Sequence, residues 1–196
     1  MPLIELIAAC APLVHPQTML HIVETESAGD PWAVNVNDGP RINETGKKAM
    51  ELARRFIEAG YSVDVGLAQV NSHNFEHLEL SLEQAFDPRT NLKAGAQILR
   101  NNYYRAEGKR LTQDDALDEA LSYYNTGDAK AGLENGYVAR VRSADISQYD
   151  VPALDAATLE QSARVEPKET PQWDIFGDLS NRQGRWLKEG EGKRAD

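Results

Sequence analysis

The amino-acid sequence predicts a predominantly helical α+β domain with a small β element, followed by an irregular C-terminal tail. Three observations support this prediction. Apolar residues recur at helical spacing in several segments before residue 150. Short valine-rich segments lie between them. After about residue 150 the periodicity is lost, while charged residues and prolines remain frequent. We therefore expect one domain over residues 1–150 and a flexible or strap-like tail over residues 151–196.

The first half of the domain reads as three helices and two β-prone segments. Residues 1–12 form an amphipathic segment, and residues 16–27 carry an apolar stripe that runs into a glycine turn. Residues 29–40 mix turn formers with alternating apolar residues, which is typical of a loop with a short strand or hairpin. Residues 44–59 predict a helix that stops at a glycine. Residues 63–71 are short and β-prone.

The second half of the domain predicts three further helices. Asp87 and Pro88 supply an N-cap and a first-turn proline for a long helix. A second helix opens at Thr112 and stops at Gly127. A third runs from residue 137 to about 149, after an Asn-Gly turn. The expected inward-facing residues of the first two are Leu92, Ala96, Leu99, Tyr103, Leu117, Ala120, Leu121 and Tyr124.

Composition excludes several classes of protein. The formal net charge is -10 and no basic run occurs, which argues against a nucleic-acid-binding protein. No segment is apolar over the roughly 18 residues that a transmembrane helix needs. The first residues resemble a weak signal peptide, but they lack a basic region and Glu5 interrupts the apolar run. Cys10, the single cysteine, is read as a small apolar helix residue, although a nucleophilic role stays open.

Glu26 is the most informative residue. It lies on the stripe of Met19, Ile22 and Val23, whereas Glu24 is expected on the opposite, solvated side of the helix. A buried carboxyl is harder to ionise, so its pKa rises toward the range that suits a general acid at neutral pH. The alternative is a glutamate at a frayed helix end that reaches water.

Three downstream segments carry side chains that suit a saccharide. Gln69 and Asn71 share strand parity and would face one groove, where amides can bind hydroxyl and N-acetyl groups. Tyr124 offers a flat face and a hydroxyl, and Asn125 follows it. Tyr137 opens a helix, from which its hydroxyl could reach a buried carboxylate. Each has a structural alternative: polar rim residues, a core tyrosine with a C-cap asparagine, and a second core tyrosine.

The segments together are more specific than any one of them. Glu26-Ser27, Gly66-Leu-Ala-Gln69, Tyr123-Tyr-Asn-Thr-Gly127 and Tyr137-Val138 resemble, in order and spacing, the motifs of the soluble lytic transglycosylase (SLT) family. Ala68 stands where the family usually has Met, and Tyr123 where it usually has Ala. Residues 4–148, including Cys10-Ala-Pro12, Pro16-Gln-Thr-Met19 and Val36-Asn37, further resemble the subfamily of type IV secretion and conjugation systems.

The resemblance implies a goose-type lysozyme-like fold and a mechanism. Glu26 would protonate the bond between N-acetylmuramic acid and N-acetylglucosamine, and then act as base while the sugar's 6-hydroxyl closes a 1,6-anhydro ring. The implied substrate-binding residues are Ser27, Gln69, Asn71, Tyr124, Asn125 and Tyr137. A hydrolase that uses two carboxylates would need a second one across the bond, and none of Asp30, Asp38 and Asp64 lies in a matched motif.

The resemblance also implies the cellular setting. The partners would be peptidoglycan glycan strands in the periplasm or envelope of a Gram-negative bacterium. The aromatic residues of the tail are candidates for binding secretion-channel proteins or for folding back on the domain. No cofactor is implied, and no metal, because His73 and His77 lack the glutamate of a His-Glu-x-x-His pattern. Two alternatives stay open: a glycan-binding scaffold without turnover, and a muramidase of the same fold that hydrolyses.

Overall fold

The protein is described by a computed structural model, which covers residues 1–107 and 112–151. Across these residues the chain forms eight α-helices and three strands, within one compact unit. In chain order they are α1 Leu3–Cys10, α2 Pro16–Ser27, β1 Val34–Val36, α3 Gly46–Glu58, β2 Val63–Val65, β3 Val70–Asn71, α4 Leu82–Phe86, α5 Pro88–Glu107, α6 Gln113–Thr126, α7 Ala131–Glu134 and α8 Tyr137–Arg142. A single 3-10 turn, Ser72–Asn74, follows β3.

The helical core is built on α2 and α5. Met19, Leu20, Ile22 and Val23 of α2 are completely buried, and they pack with residues of α1, α5, α6 and α8 in one apolar cluster. Burial of each such side chain contributes about 1.5–3 kcal/mol to the free energy of folding. This packing holds the last turn of α2 in place. Cys10 of α1 is partly buried against the same cluster as a free thiol.

The sheet is antiparallel, in the order β1-β2-β3. Its valines point inward, where Val36, Val63 and Val65 join α3 and α4 in a second apolar cluster. On the outward face the register pairs Asn35 with Asp64 and Asp64 with Asn71. The alternation of valine with Asn or Asp along each strand therefore divides the sheet into an apolar and a polar face.

Local signals explain where the long helices begin and end. The Asp87 carboxylate accepts hydrogen bonds from the backbone and hydroxyl of Thr90 at the start of α5. At the start of α6 the Thr112 hydroxyl accepts a hydrogen bond from the backbone N–H of Asp115. Gly127 ends that helix in the left-handed conformation. Among the described residues, no helix combines the length and the apolar character that a membrane-spanning helix needs.

The last helix is shorter than predicted: α8 ends at Arg142 and does not continue to 149. The Ser143 hydroxyl bonds back to the carbonyl of Ala139, and the Asp145 carboxylate accepts the Ser147 amide in a turn. The Asp145 side chain thus gives the backbone N–H of Ser147 an alternative to a helical hydrogen bond. Two helices were not predicted at all, α4 and α7, which have five and four residues. The predicted tail lies outside the described residues, apart from Val151.

Candidate active site

The side chain of Glu26 borders an open cleft of about 510 Å³. Glu26 stands in the last turn of α2, four residues after the buried Ile22, and Ala28 ends the helix in the left-handed conformation. β1 and the loop that precedes α3 form the other walls of the cleft. Its lining residues are Glu24, Thr25, Glu26, Ser27, Ala28, Asp30, Ala33, Val34, Asn35, Ile42, Asn43, Glu44, Thr45 and Gln69.

The side chain of Tyr137 is hydrogen-bonded directly to that of Glu26. Its hydroxyl donates a hydrogen bond of 2.5 Å to Oε1 of Glu26, across 111 residues of sequence. Tyr137 is the first residue of α8, and the Oδ1 of Asn135 accepts its backbone N–H. Gly136 adopts a positive φ of 77°, which suits glycine and sets the direction of the helix. The Tyr137 side chain is buried, so its ring packs in the core while its hydroxyl orients the acid.

The surroundings of Glu26 raise its pKa to about 7 from an ordinary value of 4.5. Burial is the largest cause, because it disfavours the carboxylate. The hydrogen bond from Tyr137 acts in the opposite direction, the charge of Asp64 raises the pKa, and the charge of Arg140 lowers it. Glu26 is therefore substantially protonated near neutral pH, which is the state that a general acid requires. Burial and the neighbouring Glu26 also raise the pKa of Tyr137, so the phenol stays a donor.

A tight turn between β2 and β3 joins the site to the core. Gly66 has a φ of 79° and Gln69 a φ of 46°. The Ser27 hydroxyl lies 2.8 Å from the carbonyl of Leu67 and 3.0 Å from that of Val23, so it ties the end of α2 to this turn. The Tyr124 hydroxyl donates to the carbonyl of Ala68 at 2.7 Å. Two of the predicted substrate-binding hydroxyls thus hold backbone of the site.

The side chain of Asn91 holds the same turn through hydrogen bonds. Its side chain is completely buried on α5, and its Oδ1 accepts the backbone N–H of Ala68 at 2.7 Å. Its Nδ2 donates to the carbonyls of Val65 and Ala85, at 2.8 and 2.7 Å. The oxygen and both N–H groups of one amide thus bond to three backbone groups around the turn. Sequence reasoning missed Asn91, since it stands in an ordinary helical stretch and its partners are distant in sequence.

The prediction that Gln69 and Asn71 lie on one strand is wrong. Gln69 belongs to the turn, where its Nε2 donates to the carbonyls of Ala33 and Gly66, and β3 contains only Val70 and Asn71. Gln69 lines the cleft. Asn71 does not, and its Nδ2 donates to Ser62 and Asp64. Strand parity failed because the positive φ of Gln69 breaks the extended conformation.

Two of the predicted substrate-binding residues remain, Tyr124 and Asn125. Both are absent from the lining of the cleft. Asn125 is exposed at the end of α6, and its Oδ1 accepts the Nδ2 of Asn135. Through Asn135 it is linked to the backbone of Tyr137. The described residues contain no group of three or more His, Cys, Asp or Glu side chains that could hold a metal ion.

Several cleft residues were not predicted from the sequence. Glu24 was expected on the opposite side of α2, yet it borders the cleft and accepts a hydrogen bond of 2.8 Å from the Tyr149 hydroxyl. Asn35 lies on β1, next to Asp64 in the sheet register. A signal for Asn35 is the Val-Asn-Val alternation of its strand, which places it outward. The carboxylate of Glu44 comes from a loop that has no such pattern.

The departures from the family motifs at Ala68 and Tyr123 have local explanations. Ala68 is buried, and a Cβ built on Gly95 of α5 would come within 2.6 Å of its methyl group. The small side chain thus allows α5 to approach closely. Tyr123 lies against α5, where the guanidinium of Arg105 stands 4.2 Å from the centre of its ring. A cation–π contact of this kind stabilises the pairing of two helices, and Tyr123 does not line the cleft.

Comparison with known proteins identifies the class. Residues 5–146 match the family model of the Transglycosylase SLT domain, which includes the Glu26 cleft and Tyr137. The chain belongs to this family. The predictions of family and of fold class, a helical domain with a small sheet, are therefore confirmed, and so is the enzyme class, a lytic transglycosylase.

Two individual proteins of known name are similar to this chain over most of its length. The chain is 38% identical over 177 residues to Protein virB1 of Agrobacterium fabrum, a match that covers 88% of this chain and 69% of that protein. It is 36% identical over 162 residues to Type IV secretion system protein virB1 of Brucella suis biovar 1, covering 78% of this chain and 68% of that protein. No solved structure matches the chain.

Proposed function

We propose that this lytic transglycosylase cleaves the β-1,4 bond between N-acetylmuramic acid and N-acetylglucosamine, with Glu26 as its only acid and base. One observation carries the proposal: a carboxyl with a pKa of about 7 borders a cleft and accepts a 2.5 Å hydrogen bond from a buried tyrosine. A group with that pKa can both give and take a proton near neutral pH.

The reaction proceeds in two proton transfers. Protonated Glu26 gives its proton to the glycosidic oxygen as the bond from C1 to that oxygen breaks. The acetamido group of the substrate stabilises the positive charge that develops at C1. The Glu26 carboxylate then takes the proton of the sugar's 6-hydroxyl, whose oxygen bonds to C1 and closes the 1,6-anhydro ring. Glu26 is protonated again at the end, and no water is consumed.

The other predicted site residues have different parts in this proposal. Tyr137 orients Glu26 and lowers its pKa below the value that burial alone would produce. Gln69 faces the glycan from the wall of the cleft. Ser27 and Tyr124 support the turn that carries Gln69. Asn125 takes part through the loop before Tyr137, and direct contact of Asn71, Tyr124 and Asn125 with the glycan stays a prediction.

The cellular role that we propose is local opening of the cell wall for a type IV secretion or conjugation apparatus. The support is the similarity to Type IV secretion system protein virB1 of Brucella suis biovar 1. The enzyme would act in the periplasm or cell envelope. Secretion-channel proteins are candidate partners for the tail, which lies outside the described residues.

The test is the product released from purified peptidoglycan sacculi, identified by mass spectrometry. The wild type is expected to release anhydromuropeptides, and Glu26→Gln to release none while keeping the wild-type circular dichroism spectrum. Glu24→Gln is the matched control, because it makes the same chemical change two residues away in the same cleft. It is expected to retain the anhydro product.

The same assay separates the alternatives. Products heavier by one water would identify a muramidase that hydrolyses. A wild type that binds sacculi without releasing muropeptides would identify a glycan-binding scaffold. Turnover retained by Glu26→Gln would refute the assignment of the acid.

A further inference from the structure

The outward face of the sheet carries a connected group of polar side chains. We call it the Asp64 array: Asp64, Asn35, Asn37, Asn71 and Ser62. Oδ2 of Asp64 accepts hydrogen bonds from Asn35 and Asn37, each at 3.0 Å. Its Oδ1 accepts one from Asn71 at 2.6 Å. Three amides from both neighbouring segments of the sheet thus converge on one carboxylate.

The carboxylate determines which way each amide points. An ionised Asp can only accept hydrogen bonds, so each asparagine must turn its NH2 group toward it. Asn37 uses its other N–H on Ser62, and its Oδ1 accepts from Asn35. Asn71 also donates to Ser62, and its Oδ1 accepts the backbone N–H of His73. Both ends of these two amides therefore have partners within the protein.

Asn35 differs from the other two amides. Its Nδ2 donates to Asp64 and to Asn37, which uses both of its N–H bonds. Its Oδ1 has no hydrogen-bond partner among residues 1–107 and 112–151. Asn35 is exposed, and it lines the same cleft as Glu26 and Gln69. The amide therefore presents a hydrogen-bond acceptor of fixed orientation at the wall of the cleft.

We propose that Asn35 is a substrate-binding residue whose Oδ1 accepts a hydrogen bond from the glycan, and that Asp64 is a positioning residue that fixes this polarity. The donor on the glycan is an N-acetyl N–H or a hydroxyl group. The proposal rests on the proposed function, since it takes the cleft as the glycan site. Asp64 lies near the cleft because it is hydrogen-bonded to Asn35, which lines the cleft.

The test measures binding and needs no turnover. The probe is chitotetraose, titrated by calorimetry into the full chain carrying Glu26→Gln. One neutral hydrogen bond corresponds to a loss of about 2- to 10-fold in affinity, and this is expected when Asn35→Ala is added. Asp64→Asn is expected to weaken binding as well, because the amide of Asn35 is then free to turn over.

A double-mutant cycle distinguishes positioning from general damage to the sheet. If Asp64 acts through Asn35, then Asp64→Asn has no further effect on affinity once Asn35 is alanine. Asp38→Asn is the matched control, because it removes the same charge at an exposed position after β1 with a φ of 56°, which Asn tolerates. It is expected to bind like the parent, and all variants are checked by thermal melting.

Each outcome has a defined meaning. Unchanged affinity in Asn35→Ala overturns the proposal, whether or not the wild type forms anhydro products. If the affinity losses of Asn35→Ala and Asp64→Asn are additive, the positioning role of Asp64 is overturned, while the role of Asn35 is not. Cellotetraose, which lacks acetamido groups, separates the donors: a loss confined to chitotetraose identifies the N–H, and an equal loss with both sugars identifies a hydroxyl. A parent that binds neither sugar refutes the cleft as a glycan site, and the proposal with it.

Discussion

Replacement of Glu26 by Gln is expected to stabilise the protein at alkaline pH while it removes activity. The pKa of Glu26 is about 7 in the folded protein and 4.5 for an ordinary glutamate. Between these values the folded protein still holds a proton that the unfolded chain has lost. Stability therefore falls as the pH rises from about 4.5 to about 7 and stays lower above that range. Glutamine has no such proton to lose.

The size of the effect follows from the difference between the two pKa values. A difference of about 2.5 between about 7 and 4.5, at about 1.36 kcal/mol for each unit, corresponds to about 3.4 kcal/mol. Glu26 is only partly buried beside an open cleft, so solvent screening reduces this figure to about 1–3 kcal/mol. In a domain of this size, each kcal/mol changes the melting temperature by roughly 2–4 °C.

Urea unfolding of the wild type and Glu26→Gln at pH 4.5 and pH 8.5 measures the effect. The quantity of interest is the difference in unfolding free energy between the two proteins, which should move in favour of the variant by about 1–3 kcal/mol at the higher pH. Glu76→Gln, at an exposed position, controls for the loss of one charge. A difference that does not change with pH would mean that Glu26 ionises like an ordinary carboxyl, and the physical basis for an acid at neutral pH would be lost.

Three further changes test the support of the site. Tyr137→Phe removes the hydrogen bond that lowers the pKa of Glu26, so activity should fall and the alkaline limb of the pH–rate profile should move to higher pH; an unchanged profile would leave Tyr137 as a packing residue. Asn91→Leu removes three hydrogen bonds to buried backbone and should cost about 3 kcal/mol in urea unfolding. A loss below about 1 kcal/mol would contradict the proposed role of Asn91 in holding the turn. Gly66→Ala should destabilise more than Gly127→Ala, because both have positive φ but only the Cβ at Gly66 would meet another side chain, Asn91 Nδ2 at 2.4 Å; equal losses would show that the turn relaxes.

The sequence predicted those helices whose ends are determined locally. α5 and α6 begin at caps that are visible in the sequence, Asp87 and Thr112, and α6 ends at Gly127. The end of α8 was missed because apolar spacing does not register the turn formed by Asp145. α4 also had a visible signal, the capping box of Ser81 and Gln84, which was overlooked. α7 had none, since it depends on the close approach of Gly132 to Ser122 of α6.

In the candidate site, too, some residues could be predicted from the sequence and others could not. Glu26 and Tyr137 could be paired from the sequence because a family resemblance supplied the long-range contact that spacing cannot. Asn35 and Asp64 could not be paired, because strand register depends on contacts between segments 29 residues apart. The same limit applies to Asn91, whose partners lie on a strand, a turn and another helix.

Two amides of the cleft wall, Asn35 and Gln69, present the same chemistry for the same reason. Gln69 donates both N–H bonds to backbone carbonyls, and Asn35 donates both within the Asp64 array. The oxygen of each is left for a ligand, so each can only accept a hydrogen bond. A polysaccharide rich in hydroxyl and N–H groups can donate to these oxygens, whereas a ligand that only accepts hydrogen bonds would place its own acceptors against them. At these two amides, selection for hydrogen-bond donors is therefore built into the contacts that hold the turn and the sheet, before any substrate binds.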